Sequence, residues 1–192
     1  MTKSMNPKLG DEIWRFMFAV AVVVSLVGSG RAQDSAPSSD GSEAPVEWRT
    51  YTDKAYDFSI RYPEIFVILR EPKGQPVTRP RVVHRVRFQD KQLAAGQTAA
   101  LEPPQFSIEV LKNEGSMPLP DWLKAAAQVG EKDTVERVSL DGAGEGWRVR
   151  QAIQLAPNDF YYFERGNYVF KLTPLGSHSE EMLNSFRLLP QR

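Results

Sequence analysis

The chain has 192 residues, with 24 Lys and Arg against 24 Asp and Glu, two His and no Cys. The charge balance excludes strongly basic and strongly acidic binders, and an apolar content of 41% excludes a disordered or fibrous chain. Without Cys there are no disulfide frameworks, thiolate nucleophiles or zinc sites built on thiolates.

Phe16 to Gly28 form an uninterrupted, weakly polar run of 13 residues, preceded by Lys3, Lys8 and Arg15 and followed by Ser29-Gly30-Arg31-Ala32. This is the three-part pattern of a secretory signal peptide, predicted over residues 1–32. Gly30 and Ala32 set small side chains where a signal peptidase needs them, which places the cut before Gln33. The run is short of the about 20 apolar residues that cross a hydrocarbon core of about 30 Å, so a permanent anchor through an uncut leader is the alternative. No Cys follows the run, which excludes lipid attachment. The expected location is periplasmic or secreted. Removing residues 1–32 leaves 20 basic and 22 acidic side chains, a net charge of −2. That surface has no overall attraction for nucleic acid.

Residues 33–47 are rich in Ser, Pro, Asp and Ala, with too little apolar surface to offset chain entropy, and are expected to be a disordered linker. Residues 48–190 have the size and apolar content of one domain. Alternation predicts strands at Arg49–Thr52 and Asp57–Arg61, joined at Asp53-Lys54-Ala55 and ended by Tyr62-Pro63. Ile65–Leu69 is another apolar run. In Arg81–Gln89, Val82, His84, Val86 and Phe88 are expected on one face, with Arg81, Val83, Arg85 and Arg87 on the other. Phe106, Ile108 and Val110 mark the next strand. Asp121 is a candidate cap for a helix whose stripe is Trp122, Ala125, Ala126 and Val129, ending near Gly130. Strands follow at Thr134–Leu140, Trp147–Leu155, Phe160–Glu164 and Tyr168–Thr173. The last two are joined by Gly166-Asn167, which suits a two-residue turn. Ser177 to Glu180 fits a capping box for a terminal helix with Met182, Leu183 and Phe186 buried. Hairpin-length connections make the class α+β, a central antiparallel sheet flanked by helices.

Tyr51, the stretch Asp57-Phe58-Ser59-Ile60-Arg61-Tyr62-Pro63 and Phe66 resemble the opening of PsbP-like domains, although Trp is common where Phe66 stands. Met182-Leu183-Asn184-Ser185-Phe186-Arg187 is similar to their C-terminal signature, and the hairpin Tyr162 to Phe170 and the turn Gly142 to Trp147 sit where that family has them. The resemblance implies an α/β/α sandwich found in exported bacterial proteins and in extrinsic proteins of the photosynthetic oxygen-evolving complex. There it serves as a non-catalytic docking and assembly module. No metal-binding residue of the family matches.

A hydrolytic triad would need His84 or His178 as its base. His84 lies on the apolar side of its strand and reads as a satisfied core histidine, and His178 reads as a surface residue at a helix start. Glu180 and Glu181 point apart on a first helical turn. Gly142-Ala143-Gly144-Glu145-Gly146 precedes a strand and not a helix, so it is a hairpin loop and not a phosphate cradle. The unusual cluster is Arg79, Arg81, Arg85, Arg87, Arg148 and Arg150. Either these pair across strands with acids such as Glu109, Glu136 and Glu164, or Arg81, Arg85, Arg87, Arg148 and Arg150 form a patch for an anionic ligand or partner. The loops Glu71–Pro80 and Lys91–Pro104 are long enough to carry binding.

No acid, base and nucleophile converge in the sequence, and no cofactor or metal is expected. The expected function is therefore a non-catalytic binding or assembly module of the cell envelope. Its partner would be an envelope protein and not a nucleic acid, and it would touch the membrane only through an uncleaved leader. The alternative is a small-ligand carrier with a pocket lined by Trp122, Trp147 or Tyr162.

Overall fold

A computed structural model of the chain describes residues 45–69, 80–96, 103–152 and 157–190. The expected leader 1–32, most of the expected linker 33–47, Arg79, most of the loop Glu71–Pro80 and the end of the strand expected to reach Leu155 lie outside these residues.

Among the described residues every strand pairing is antiparallel. A seven-stranded sheet runs in the order β3-β4-β5-β9-β8-β7-β6 and a three-stranded sheet in the order β1-β2-β10. In chain order the strands are β1 Trp48–Asp53, β2 Phe58–Pro63, β3 Phe66–Leu69, β4 Val82–Asp90, β5 Phe106–Lys112 and β6 Thr134–Leu140. They continue with β7 Gly144–Arg150, β8 Asp159–Arg165, β9 Tyr168–Pro174 and β10 Arg187–Leu188. Three short helices among the described residues, α1 Lys91–Ala95, α2 Leu119–Ala125 and α3 Ser179–Ser185, accompany the strands in an α+β fold. Among the described residues no helix is long and apolar enough to cross a membrane.

The large sheet has two buried faces, and different elements cover them. On one face Val86, Phe88, Ile108 and Phe170 pack against Phe58 and Ile60 of β2 and against Met182, Leu183 and Phe186 at the end of the chain. The cover on this face is therefore the small sheet together with α3, where helices alone were expected. On the other face α2 sets Leu119, Trp122 and Leu123 over Leu111, Val149, Phe160 and Val169. β5 and β9 each feed both faces, with Phe106, Ile108, Val110, Phe170 and Leu172 in the main core and Leu111 and Val169 beneath α2.

Several local expectations change. α2 starts two residues before Asp121, with Pro118 at its N-cap and Pro120 in the first turn, where a missing N–H costs nothing. It stops at Ala125 because Ala127 adopts φ +51°, and the Gln128 N–H then reaches the Leu123 carbonyl at 2.9 Å. Its buried stripe is consequently Leu119, Trp122 and Leu123, and Ala125 is exposed. Ser177 does not cap α3. The N-cap is His178 at φ +61°, and no side chain caps the helix. α1 occupies the start of the expected loop Lys91–Pro104, nucleated by Asp90, whose carboxylate accepts the N–H groups of Gln92 and Leu93 at 2.7 and 3.3 Å. A register shift between Val82 and His84 moves Val82 onto the α2 side and turns Val83 toward the main core.

Two glycines meet local demands, Gly166 in the expected turn and Gly146 within β7 instead of the expected loop. Gly166 takes φ +55° in the two-residue turn between Arg165 and Tyr168. Gly146, in the glycine-rich hairpin, lies under the Phe163 ring, and a Cβ there would sit 2.4 Å from the Tyr162 carbonyl oxygen.

Candidate functional site

The strand registers decide what becomes of the arginine cluster. Arg148 aligns through Tyr161, Leu172 and Ile108 with Val86, so it projects from the face that carries the small sheet. Arg85 and Arg87 flank Val86 on β4 and project from the opposite face. Three strands separate β4 from β7, roughly 19 Å at the usual spacing. Arg81 precedes β4 and is exposed, and its carbonyl accepts the Lys112 N–H at 2.9 Å. Arg81, Arg85, Arg87, Arg148 and Arg150 thus do not come together as one patch. Alternation within a strand is visible in a sequence, but the side of the sheet on which two distant strands expose the same residue type depends on register.

Two smaller networks take its place. Arg148 donates to Glu136 at 2.8 Å and to both oxygens of Asp159 at 2.9 and 3.2 Å, and Arg150 donates to Asp159 at 2.9 Å. Burial opposes ionisation of Asp159, yet Arg148 and Arg150 outweigh it and hold the carboxyl below its usual range. Arg85 donates to Glu109, with 2.7 and 2.6 Å contacts. Glu109 and Glu136 are therefore acids of the expected kind, and Asp159 rather than Glu164 completes the second network. Asp159 escaped sequence reading because it stands outside the apolar alternation that begins at Phe160.

Arg85 also begins a cross-strand row formed by Arg85, Glu109, Lys171, Tyr162, Trp147 and Arg137, one residue from each of β4, β5, β9, β8, β7 and β6. Its centre is the Lys171 ammonium, 4.3 Å from the Phe160 ring centroid and 5.8 Å from that of Tyr162. Gln128 Oε1 accepts from Lys171 Nζ at 3.3 Å and from the Tyr162 hydroxyl at 3.2 Å. Burial lowers the Lys171 pKa, Glu109 opposes that shift and Arg85 adds to it. The sequence signal for this site is a lysine between two core residues, Phe170 and Leu172, on a strand with two buried faces.

The Lys171 site carries a prediction with a definite sign. A lysine whose folded pKa lies below its unfolded value binds fewer protons when folded, so stability rises with pH from the folded pKa up to about 10.5. Lys171→Met is expected to change stability at pH 7 by no more than about 1 kcal/mol, because removing a buried charge offsets the lost cation–π and Gln128 contacts. It is also expected to abolish the upward slope. Urea titrations from pH 7 to 10 read both effects, and a slope unchanged in the variant would contradict this placement of the ammonium.

His84 is not the satisfied core histidine expected, but lies half-buried at a joint between the two sheets. Its Nε2 is 2.8 Å from Oδ2 of the buried Asp53, an ion-pair distance without hydrogen-bond alignment, and its ring stacks on Tyr56 with centroids 5.1 Å apart. Asp53 accepts the Tyr51 hydroxyl at 2.9 Å and the N–H groups of Ala55 and Tyr56 at 2.9 and 3.0 Å. Burial, and then the Asp53 hydrogen bond, push the Tyr51 hydroxyl up to about 12. No serine or threonine hydroxyl among the described residues bonds to this pair. His178 packs edge-on against Trp48 and Phe66, with centroids 5.9 and 6.4 Å away. Trp122, Trp147 and Tyr162 pack into one core cluster beneath α2, in the space that a carrier pocket would need open. No group of three or more His, Asp and Glu able to hold a metal ion occurs among the described residues.

The fold and these networks define a mixed α+β protein with an antiparallel seven-stranded sheet sealed on both faces. No family model matches the chain, and no curated protein matches it. Among solved structures it is similar to the solution structure of cyanobacterial PsbP (CyanoP) from Synechocystis sp. PCC 6803, at 14% identity and a TM-score of 0.40, covering 77% of this chain and 96% of that one. It is also similar to a crystal structure from Bacteroides thetaiotaomicron VPI-5482, at 14% identity and a TM-score of 0.37, covering 74% of this chain and 48% of that one.

Proposed function

We propose that the chain is an exported, non-catalytic binding or assembly module of the cell envelope. The observation that supports this reading most is the Asp53–His84 joint. It is an acid–imidazole pair of the kind that hydrolases use, but two tyrosines and two backbone N–H groups surround it and no described serine or threonine hydroxyl bonds to it. Three arginines also serve the sheet: Arg148 and Arg150 close on Asp159, and Arg85 closes on Glu109. The run Phe16 to Gly28 with its small-residue flank supports export, and the motif resemblance to PsbP-like domains supports a docking role.

Producing the full chain in an envelope-bearing bacterium tests both parts. The expected protein in the envelope fraction begins at Gln33 by mass spectrometry, and cross-linking in intact cells joins it reproducibly to a defined protein partner. A chain that stays in the cytoplasm overturns export. Repeated failure to cross-link any partner overturns the binding role.

A further inference from the structure

The seven-stranded sheet ends on β6, and no other described strand pairs with its outer side. A free strand edge is a row of unpaired N–H and C=O groups, which proteins usually guard with a proline, a lysine, a bulge or a covering element. β6 carries no proline or lysine and pairs with β7 in unbroken register over all seven residues. Its two charges are turned back over its own sheet. Glu136 takes Arg148, and the Arg137 guanidinium lies 5.3 Å from the Trp147 ring centroid. Val135 is 39% exposed. At the opposite end of the sheet β3 is only four residues long and has α1 against it.

The two charges differ in one respect. Glu136 is neutralised by Arg148, whereas Arg137 forms no ion pair with a described residue. We propose that β6 is a docking edge that receives an extended segment of a partner protein as an eighth strand. This segment carries an acidic residue beside Arg137 on one face and aliphatic residues beside Val138 and Leu140 on the other. The proposal rests on the reading of the chain as a binding module and names the chemistry of its partner. Main-chain hydrogen bonds to β6 supply affinity, and the period-2 alternation of the strand supplies selectivity. Val138 and Leu140 already pack against the main core, so aliphatic side chains beside them extend a buried surface. A second copy of β6 fits less well. The antiparallel register that pairs all seven residues sets Arg137 opposite its own counterpart, and like charges directly opposed destabilise a sheet.

The test titrates the full chain with a short blocked peptide of alternating Val and Glu, and separately with one of alternating Val and Lys. Binding is followed by amide chemical shifts and hydrogen exchange. The Val–Glu peptide is expected to bind saturably and slow exchange along Thr134–Leu140 about tenfold or more, with the Val–Lys peptide about tenfold weaker. Arg137→Glu inverts that preference and Arg137→Ala removes it. Absence of saturable binding, protection confined to other strands, or a preference unchanged in Arg137→Glu overturns the proposal. So does β6 protection that grows with protein concentration in the absence of peptide, which would make a second copy the occupant. A cellular partner cross-linked equally well by the Arg137→Glu chain overturns the edge and leaves the binding-module reading standing. Failure to cross-link any partner overturns that reading itself.

Discussion

Phe186→Ala is expected to destabilise the protein by about 3–5 kcal/mol, a large share of the total stability of an ordinary domain. Phe186 is fully buried at the end of α3, with its ring centroid 5.9 Å from Phe58 and 6.1 Å from both Phe163 and Phe170. Phe58 belongs to the small sheet and the other two belong to the large one, so a single ring joins all three elements that meet in the main core. Truncation removes these tilted ring contacts and leaves a cavity that the surrounding sheets cannot collapse to fill. Backbone hydrogen bonds are untouched, since the Phe186 N–H to Leu183 carbonyl bond of 3.1 Å survives the change. Urea unfolding should show a lower midpoint with an unchanged slope. Val135→Ala, on the exposed outer strand, should stay within about 0.5 kcal/mol of the parent chain. If the two variants were equally stable, α3 would not be docked between the sheets as described.

Phe186 also marks how far the sequence could be read. Its burial with Met182 and Leu183 follows from the apolar pattern near the end of the chain, although the helix stops at Ser185 and Phe186 is buried as its extended C-cap residue. The hairpin at Gly166-Asn167 is similarly local, since the turn needs positive φ and glycine supplies it. Long-range pairing is another matter. β10 is two residues long and joins β2 across more than a hundred residues of chain, and no alternation exists in so short a segment. The arginine cluster failed for the same reason. Arg85 and Arg148 each occupy a clear alternating position, but the chain of registers from β4 through β5, β9 and β8 to β7 sets them on opposite faces. Missed helix starts have a different cause. Asp90 is an ordinary capping residue, but it also closes the alternating strand pattern of β4 and reads as part of it, whereas Pro118 has no capping side chain, so the true start of α2 lacks the usual polar signal. Residues that unite distant elements, Asp53, Asp159, Lys171 and Gln128, each look like an ordinary turn or strand residue until the sheets are assembled around them.

Asp53 gives the second large effect. Asp53→Ala is expected to cost about 2–4 kcal/mol, because one buried carboxylate holds the Tyr51 hydroxyl and the N–H groups of Ala55 and Tyr56 and lies beside His84. Its loss leaves part-buried donors without an acceptor on the small sheet and removes the carboxylate that lies 2.8 Å from the His84 imidazole on the large one. Asp53→Asn should fall between the two, since its amide oxygen still accepts the two N–H groups of the β1–β2 turn, while its amide nitrogen cannot accept from the Tyr51 hydroxyl. A pH signature separates this account from simple loss of packing. The Tyr51 hydroxyl is raised to about 12 by burial and then by Asp53, so it contributes stability that is fully present below the unfolded value of 10.0 and is lost as pH rises through about 12. Without the carboxylate the burial contribution remains and the Asp53 contributions vanish, which moves the folded pKa downward and narrows that window from above. Phenolate absorbance titrations of the parent and Asp53→Ala chains, each with and without Tyr51→Phe to isolate the one ring, should show the Tyr51 midpoint descending. A midpoint that stays put would mean that the carboxylate does not hold the hydroxyl, and that the joint between the sheets is made by ring stacking on His84 alone.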